Sequence, residues 1–514
     1  MKDGLAGFSG LNYGILIVYF GILFSIGLLL AKKQRSTEDY FLAGRNMPWL
    51  FVAMSMLASL TSAVSYMGVP GTSYAENISY IFAAPMALIT APIVIFFFFP
   101  LYIKLRITTT YDYIFKRFGS EARYVASALF LLSTLGWMGT ILYAPALALS
   151  VVTGINIWLA IILMGLLTTG YTVLGGLPAV IWTDVIQFLI LVGGAIWVFV
   201  SLLNGVPGGF SQIIEIAGET DHLRVFEWKL DFSRMNAIAV TIAWFFISIQ
   251  AWGIGQVSVQ RLLAVKTYSG VAKALIANGI FEMIMLTLLL FIGIGMFAYF
   301  HVFPERLVNG LSGDRFLPYY IIHALPNGIS GLLITAIFAA AMSSMDSAVN
   351  SSATVIVNDF VRPLSRKPRT DQQDLKLARI LTIGFGFFAI VVACYVSRIE
   401  GVLKAINMIG GYFGAPATGL FFLGIFSRRA NFQGWVVSTL LIAMPFQYWI
   451  QNIVDVHWIY YSTLGLFVTV ITTYVLSIII SAIWRIPVAD NQYTMWGTRF
   501  SFTETEETHS ANKE

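Results

Sequence analysis

Three carboxylates stand inside runs of apolar residues. Asp184 lies in Trp182-Thr183-Asp184-Val185, Asp346 in Met342-Ser343-Ser344-Met345-Asp346-Ser347, and Glu282 in Ile280-Phe281-Glu282-Met283. Ser343, Asp346 and Ser347 are spaced i, i+3, i+4, so on a helix they share one face, with the Ser344 hydroxyl beside them. Hydroxyl and carboxylate oxygens are hard donors suited to hard cations, and no thiolate or imidazole accompanies them. With few carboxylates and mostly neutral oxygens, a monovalent ion fits better than a transition metal. Sodium and a proton both satisfy this chemistry. The competing accounts are a hydrogen-bond anchor at Asp184 or Asp346, a hydroxyl partner for Glu282, and a serine-rich packing face between helices.

The elements that must hold these residues follow from composition. Of 514 residues, 58% are hydrophobic and 11% charged, against about 25% charged in soluble proteins. Mean hydropathy is +0.78. A soluble enzyme, a disordered chain and a nucleic-acid binder are excluded, and a net charge of +5 is too weak an excess to suggest nucleic acid. The single cysteine, Cys394, allows no intrachain disulfide. No nucleophile–base pair, zinc-type cluster, phosphate loop or Walker-type motif is present. The expectation is therefore no enzyme, no cofactor and no ATP, with the lipid bilayer and a small molecule as partners.

A spanning helix needs about 20 mostly apolar residues. Thirteen runs qualify, roughly 11–31, 48–73, 79–103, 123–152, 156–175, 180–203, 236–260, 270–300, 328–356, 377–397, 403–426, 433–452 and 459–484. They lack strand alternation, so the expected fold is all-α. The first run ends in Lys32, Lys33 and Arg35 without a cleavage site, which reads as a spanning helix with its N-terminus outside. Alternating the runs places 23 of the 31 Lys and Arg on one side, which is then cytoplasmic, with the C-terminus. Residues 486–514 read as a solvated cytoplasmic tail with an acidic stretch at Glu504, Glu506 and Glu507.

Two runs are interrupted. The second contains Gly68-Val69-Pro70-Gly71 after Ser59, Thr61, Ser62 and Ser65, and the seventh contains Gly253-Ile254-Gly255 before Gln256 and Gln260. Glycine and proline weaken helix continuity and free carbonyls that can ligate a small cation. A packing kink explains one interruption as well. Two are more informative, because they open segments 48–203 and 236–426, each of five runs. An odd number inverts the second relative to the first, the plan of secondary transporters. The expected organisation is an N-terminal helix and cytoplasmic loop (1–47), a first repeat (48–203), an outer loop (204–235), an inverted second repeat (236–426), two further helices (427–485) and the tail.

At these residues the chain resembles the sodium/solute symporter family, which includes bacterial proline and galactose symporters and animal glucose, iodide, monocarboxylate and multivitamin symporters. The matching stretches are Thr61–Gly71 (TSAVSYMGVPG), Thr108–Gly119 (TTTYDYIFKRFG), Leu142–Ala146 (LYAPA), Gly175–Gln187 (GGLPAVIWTDVIQ), Gln256–Arg261 (QVSVQR) and Ala339–Ser347 (AAAMSSMDS). Several are most similar to the iodide, monocarboxylate and vitamin branch. The resemblance implies a leucine-transporter-type fold of two inverted five-helix repeats and sodium-driven uptake by alternating access. It implies a principal sodium site at Ala58, Thr61, Ala340, Ser343 and Ser344. It also implies a second cation site at Asp184, Ser343, Asp346 and Ser347, with Asp346 standing where many members have a neutral residue.

Ser65, Gly255 and Glu282 differ from the sugar-contacting residues of galactose transporters, so sugar transport is not supported by residue. Ser65, Tyr66, Tyr143, Gln250, Trp252, Glu282 and Met408 are the expected solute-site residues. The expected activity is Na+-coupled uptake of a small organic solute, a carboxylate among the candidates, by a monomer in a bacterial inner membrane. A proton-coupled symporter and a transporter-like sensor are the alternatives.

Overall fold

The computed structural model describes residues 9–31, 37–225, 231–308, 311, 313–398 and 407–497. Lys2, Lys32, Lys33, Arg35, Lys404 and the acidic stretch at Glu504, Glu506 and Glu507 lie outside them. Apolar runs of this length become helices because hydrocarbon offers no hydrogen bonds and a helix satisfies its own backbone. Among the described residues, β-type pairing is confined to one isolated bridge, Met47 with Val265.

Among the described residues, ten helices are long and apolar enough to cross a membrane, and the bent pair Trp49–Leu60 and Ala63–Ala75 makes an eleventh. The expected spans at 156–175 and 433–452 are helical over Ile157–Gly170 and Phe432–Asn452 but fall short by these criteria. Length and apolarity thus count eleven spans among the described residues rather than thirteen. Large side chains such as Ile17, Leu29, Leu441 and Ile471 point outward from peripheral helices, an apolar surface that suits lipid.

The centre is the helix Ile329–Val355, in which every residue except Ile329 and Leu332 is buried. It packs against the long helix Ile157–Gly205, against Gly10–Ala31 and against both halves of the bent pair. Ile157–Gly205 is itself two helices joined at Gly176, where φ is +58°. This left-handed value is open to glycine without a Cβ clash, and it separates the fifth and sixth expected runs.

The first interruption lies earlier than the Gly-Pro-Gly motif suggests. The chain bends by 61° between Leu60 and Ala63, and Ser62 caps the second half by accepting from the Ser65 amide at 3.4 Å. Pro70 remains inside the helix Ala63–Ala75. The motif serves packing instead: a Cβ on Gly293 would fall 2.3 Å from the Pro70 carbonyl and 1.9 Å from Ser73 Oγ. The second interruption falls where expected. Gln250–Ile254 is π-helical, Gly255 is extended with ψ 118°, and a new helix runs Gln256–Leu262. A Cβ on Gly255 would stand 2.7 Å from the Ala251 carbonyl.

The tail departs from expectation over residues 486–497. It docks on the helix ends, with the Tyr113 hydroxyl donating to the Tyr493 carbonyl at 3.0 Å and the Trp496 indole donating to the Phe426 carbonyl at 3.1 Å. The indole and phenol hydrogen bonds, absent from a solvated tail, explain the attachment.

Candidate functional site

The bend at Leu60–Ala63 leaves the end of Trp49–Leu60 without its next helical turn, and the serine face of Ile329–Val355 lies against it. Ser343 Oγ is 2.7 Å from the Ala58 carbonyl, 3.0 Å from Ala339 O and 3.1 Å from Ala340 O. Ser344 Oγ donates to Ser59 O at 2.7 Å and lies 3.2 Å from Ala340 O. A hydroxyl has one proton, so three carbonyls around Ser343 form an oxygen cluster richer in acceptors than in donors. Ala58, Ala340, Ser343 and Ser344 are thereby brought together from positions 285 apart. Thr61 follows at the bend, where its amide donates to Leu57 O at 2.7 Å, and it lines the adjacent cavity.

Asp184, buried in the second half of Ile157–Gly205, accepts from Ser55 Oγ at 2.5 Å and lies 3.2 Å from Ser59 Oγ. Its other oxygen makes no hydrogen bond. The same carboxylate pairs with Arg261 Nη2 at 3.1 Å. Arg261 also donates through Nε to Ser55 Oγ at 2.8 Å and through Nη2 to Ser347 Oγ. Ser347 Oγ lies 2.9 Å from Ser59 Oγ. Asp184, Ser55 and Ser347 therefore meet around one guanidinium, and Ser343 joins them only through its carbonyl, which accepts from the Ser347 hydroxyl. Asp346 turns to Thr172, whose hydroxyl donates to it.

Sequence reasoning missed Arg261. It counts there as a loop cation, yet only 1% of it is exposed. A lone cation between Val259 and Leu262-Leu263-Ala264-Val265 was the available signal. Ser55, Ser59 and Thr172 were missed as partners too, because hydroxyls in apolar helices carry no sign of their contacts. The structure also relates two matched motifs: Gln256 Oε1 accepts from the Thr110 amide at 2.8 Å.

Beside the oxygen cluster lies a cavity of about 370 Å³. Of the residues named for the solute site, Ser65, Gln250, Trp252 and Glu282 line it. Tyr66, Tyr143 and Met408 are not on its wall. The wall of Ala63–Ala75 is a helical stripe through Ser62, Ser65 and Val69, so Tyr66 faces away and its hydroxyl donates to Leu191 O at 3.3 Å. Tyr143 is half-buried against the neighbouring core. Met408 is skipped by helical phase, with Asn407 and Ile409 on the wall, and its carbonyl accepts from Gln451.

The chain as a whole has relatives among known proteins. The profile of the sodium:solute symporter family matches residues 40–441, and the chain belongs to that family. A sodium/sialic acid symporter of Aliivibrio fischeri is 32% identical over 472 residues, spanning 91% of this chain and 93% of the relative. A sodium-dependent multivitamin transporter of Oryctolagus cuniculus is 32% identical over 450 residues, 86% of this chain and 70% of the relative. A solved substrate-bound, outward-open Na+-coupled sialic acid symporter superposes with a TM-score of 0.87 at 30% identity, covering 94% of this chain and 99% of that one.

A nucleobase-cation-symport-1 transporter, Mhp1, shares the fold at 16% identity and a TM-score of 0.55, over 88% and 96% of the two chains. The fold is thus of the leucine-transporter type, with inverted repeats. The protein is a multi-pass membrane transporter that couples solute movement to Na+, and not an enzyme. Sodium coupling decides between the two ions that the residue chemistry left open.

Proposed function

We propose that the protein takes up a small organic solute together with Na+ by alternating access, with the ion at the bend and the solute in the cavity beside it. Ala58, Thr61, Ala340, Ser343 and Ser344 form the principal sodium site in this reading. The single observation that carries it is the Ser343 hydroxyl among the Ala58, Ala339 and Ala340 carbonyls. A second cation site at Asp184, Ser343, Asp346 and Ser347 has Arg261 for its positive charge in this structure, so a second sodium would compete with that guanidinium for Asp184.

Ser65, Gln250, Trp252 and Glu282 contact the solute, and Tyr66, Tyr143 and Met408 act from behind the wall. The relatives' sialic acid makes a carboxylate-bearing sugar acid one candidate. The repeats span 48–203 and 236–426, the N-terminus faces outward and the C-terminus the cytoplasm, the membrane is a bacterial inner membrane, and one chain is the working unit. Two repeats within one chain enclosing both sites support the last point.

The test is a thermal-shift screen of purified protein against sugars, amino acids, monocarboxylates and vitamins, each in NaCl and in KCl. A compound that stabilises only with sodium is expected. Equal shifts in the two salts would refute the coupling.

A further inference from the structure

Glu282 is the one charged side chain on the cavity wall among the described residues. It projects from the helix Tyr268–Val302, and its Oε2 is out of contact with solvent and makes no hydrogen bond. No described Lys, Arg or His reaches the wall, and the buried Arg261 is engaged by Asp184 at 3.1 Å. The rest of the wall is strongly aromatic. Tyr80, Trp137, Trp244, Trp252 and Trp458 all face the cavity, and the Tyr80 and Trp244 rings meet edge to face at 5.7 Å.

A carboxylate withdrawn from water is costly unless a positive group answers it. The faces of Trp and Tyr attract ammonium groups, above all alkylated ones, which are weakly hydrated and fill an aromatic box. A carboxylate placed at the same end of the cavity would meet like charge. The two features, one unpaired acid and an aromatic wall, ask for the same head group.

We propose that the solute presents an ammonium head, primary or alkylated, to Glu282 and the aromatic wall. A carboxylate elsewhere on the same molecule is compatible with this. The inference rests on the sodium-symport reading and narrows its solute.

The test titrates purified protein with choline, glycine betaine and N-acetylneuraminate, each in NaCl and in KCl, and follows the melting temperature. Choline or glycine betaine is expected to bind in NaCl, and E282Q is expected to bind the same compound about thirty-fold more weakly. Sodium alone still stabilises E282Q if the ion site and fold are intact. A readout free of any variant is the choice between choline and its uncharged isostere 3,3-dimethylbutan-1-ol, expected to favour choline about thirty-fold.

Failure of both ammonium compounds to bind overturns the proposal. So does equal binding of choline and its isostere, or an E282Q protein that binds as the wild type does, the result a neutral Glu282 would give. N-acetylneuraminate as the only ligand, bound with sodium, overturns the ammonium head and leaves sodium coupling standing. Ligand binding indifferent to sodium overturns the coupling itself.

Discussion

The guanidinium of Arg261 lies 3.1 Å from the carboxylate of Asp184, with both side chains buried. Ser55 bridges them, accepting from Arg261 Nε at 2.8 Å while its hydroxyl donates to Asp184. The pair links the short helix after the second break to the bent helix and to Ile157–Gly205. Removing one member strands the other charge, which costs about 3–5 kcal/mol. Asp184→Asn is therefore expected to lower the melting temperature sharply, and Asp184→Asn with Arg261→Met to regain most of the loss. Single losses that merely add in the double variant would disprove the coupling.

The serine pair gives a prediction on the ion. Ser343→Ala and Ser344→Ala each delete one oxygen from the cluster at the bend, and a hydrogen-bond-like contact to a charged group is worth about 1.5–3 kcal/mol. Half-saturation by Na+ in a sodium-induced thermal shift is expected to rise about ten-fold or more in each variant. Variants that fold and titrate as the wild type does would remove these residues from the ion site.

Close packing of the bent helix gives a prediction on stability. A Cβ on Gly293 would meet Ser73 Oγ at 1.9 Å and Pro70 O at 2.3 Å. Backbone cannot yield as a flexible side chain can, so Gly293→Ala is expected to cost about 1–3 kcal/mol. Gly193, which has nothing within 4 Å of an added Cβ, is the control, and Gly193→Ala should melt close to the wild type. Equal melting of the two variants would contradict the packing.

The joint between two matched motifs gives a fourth. Gln256 Oε1 accepts from the buried Thr110 amide at 2.8 Å. Gln256→Leu leaves that amide without its partner, a loss of about 1–3 kcal/mol. Hydrogen exchange at Thr110 should quicken in Gln256→Leu, and unchanged exchange would show that the amide does not depend on Gln256.

Local patterns carried much of this in the sequence. Apolar run length set the helices, Gly253-Ile254-Gly255 marked the second break, and the i, i+3, i+4 spacing put Ser343 and Ser347 on one face. The first break was misplaced to Gly68–Gly71 because glycine and proline are loud local signals, whereas the bend at Thr61–Ser62 is held by a serine cap and by contacts with a distant helix. Arg261 was read as a loop cation because its partner is 77 residues away. Tyr66 and Met408 lie off the cavity wall, each one position from a residue on it, a matter of helical phase that a motif does not encode. Thr172 as the partner of Asp346 is likewise a meeting of distant segments, 174 residues apart.

The helix Ile329–Val355 is enclosed by protein along almost its whole length. Bilayer thickness and lipid composition act on hydrophobic stretches that touch acyl chains, and this helix offers them almost no surface. Mechanical stress from the membrane can reach the oxygen cluster only at second hand, transmitted by the outer ring of helices. The serine face of this helix is in that sense insulated from its solvent, and the lipid dependence of the transporter should be a property of its periphery.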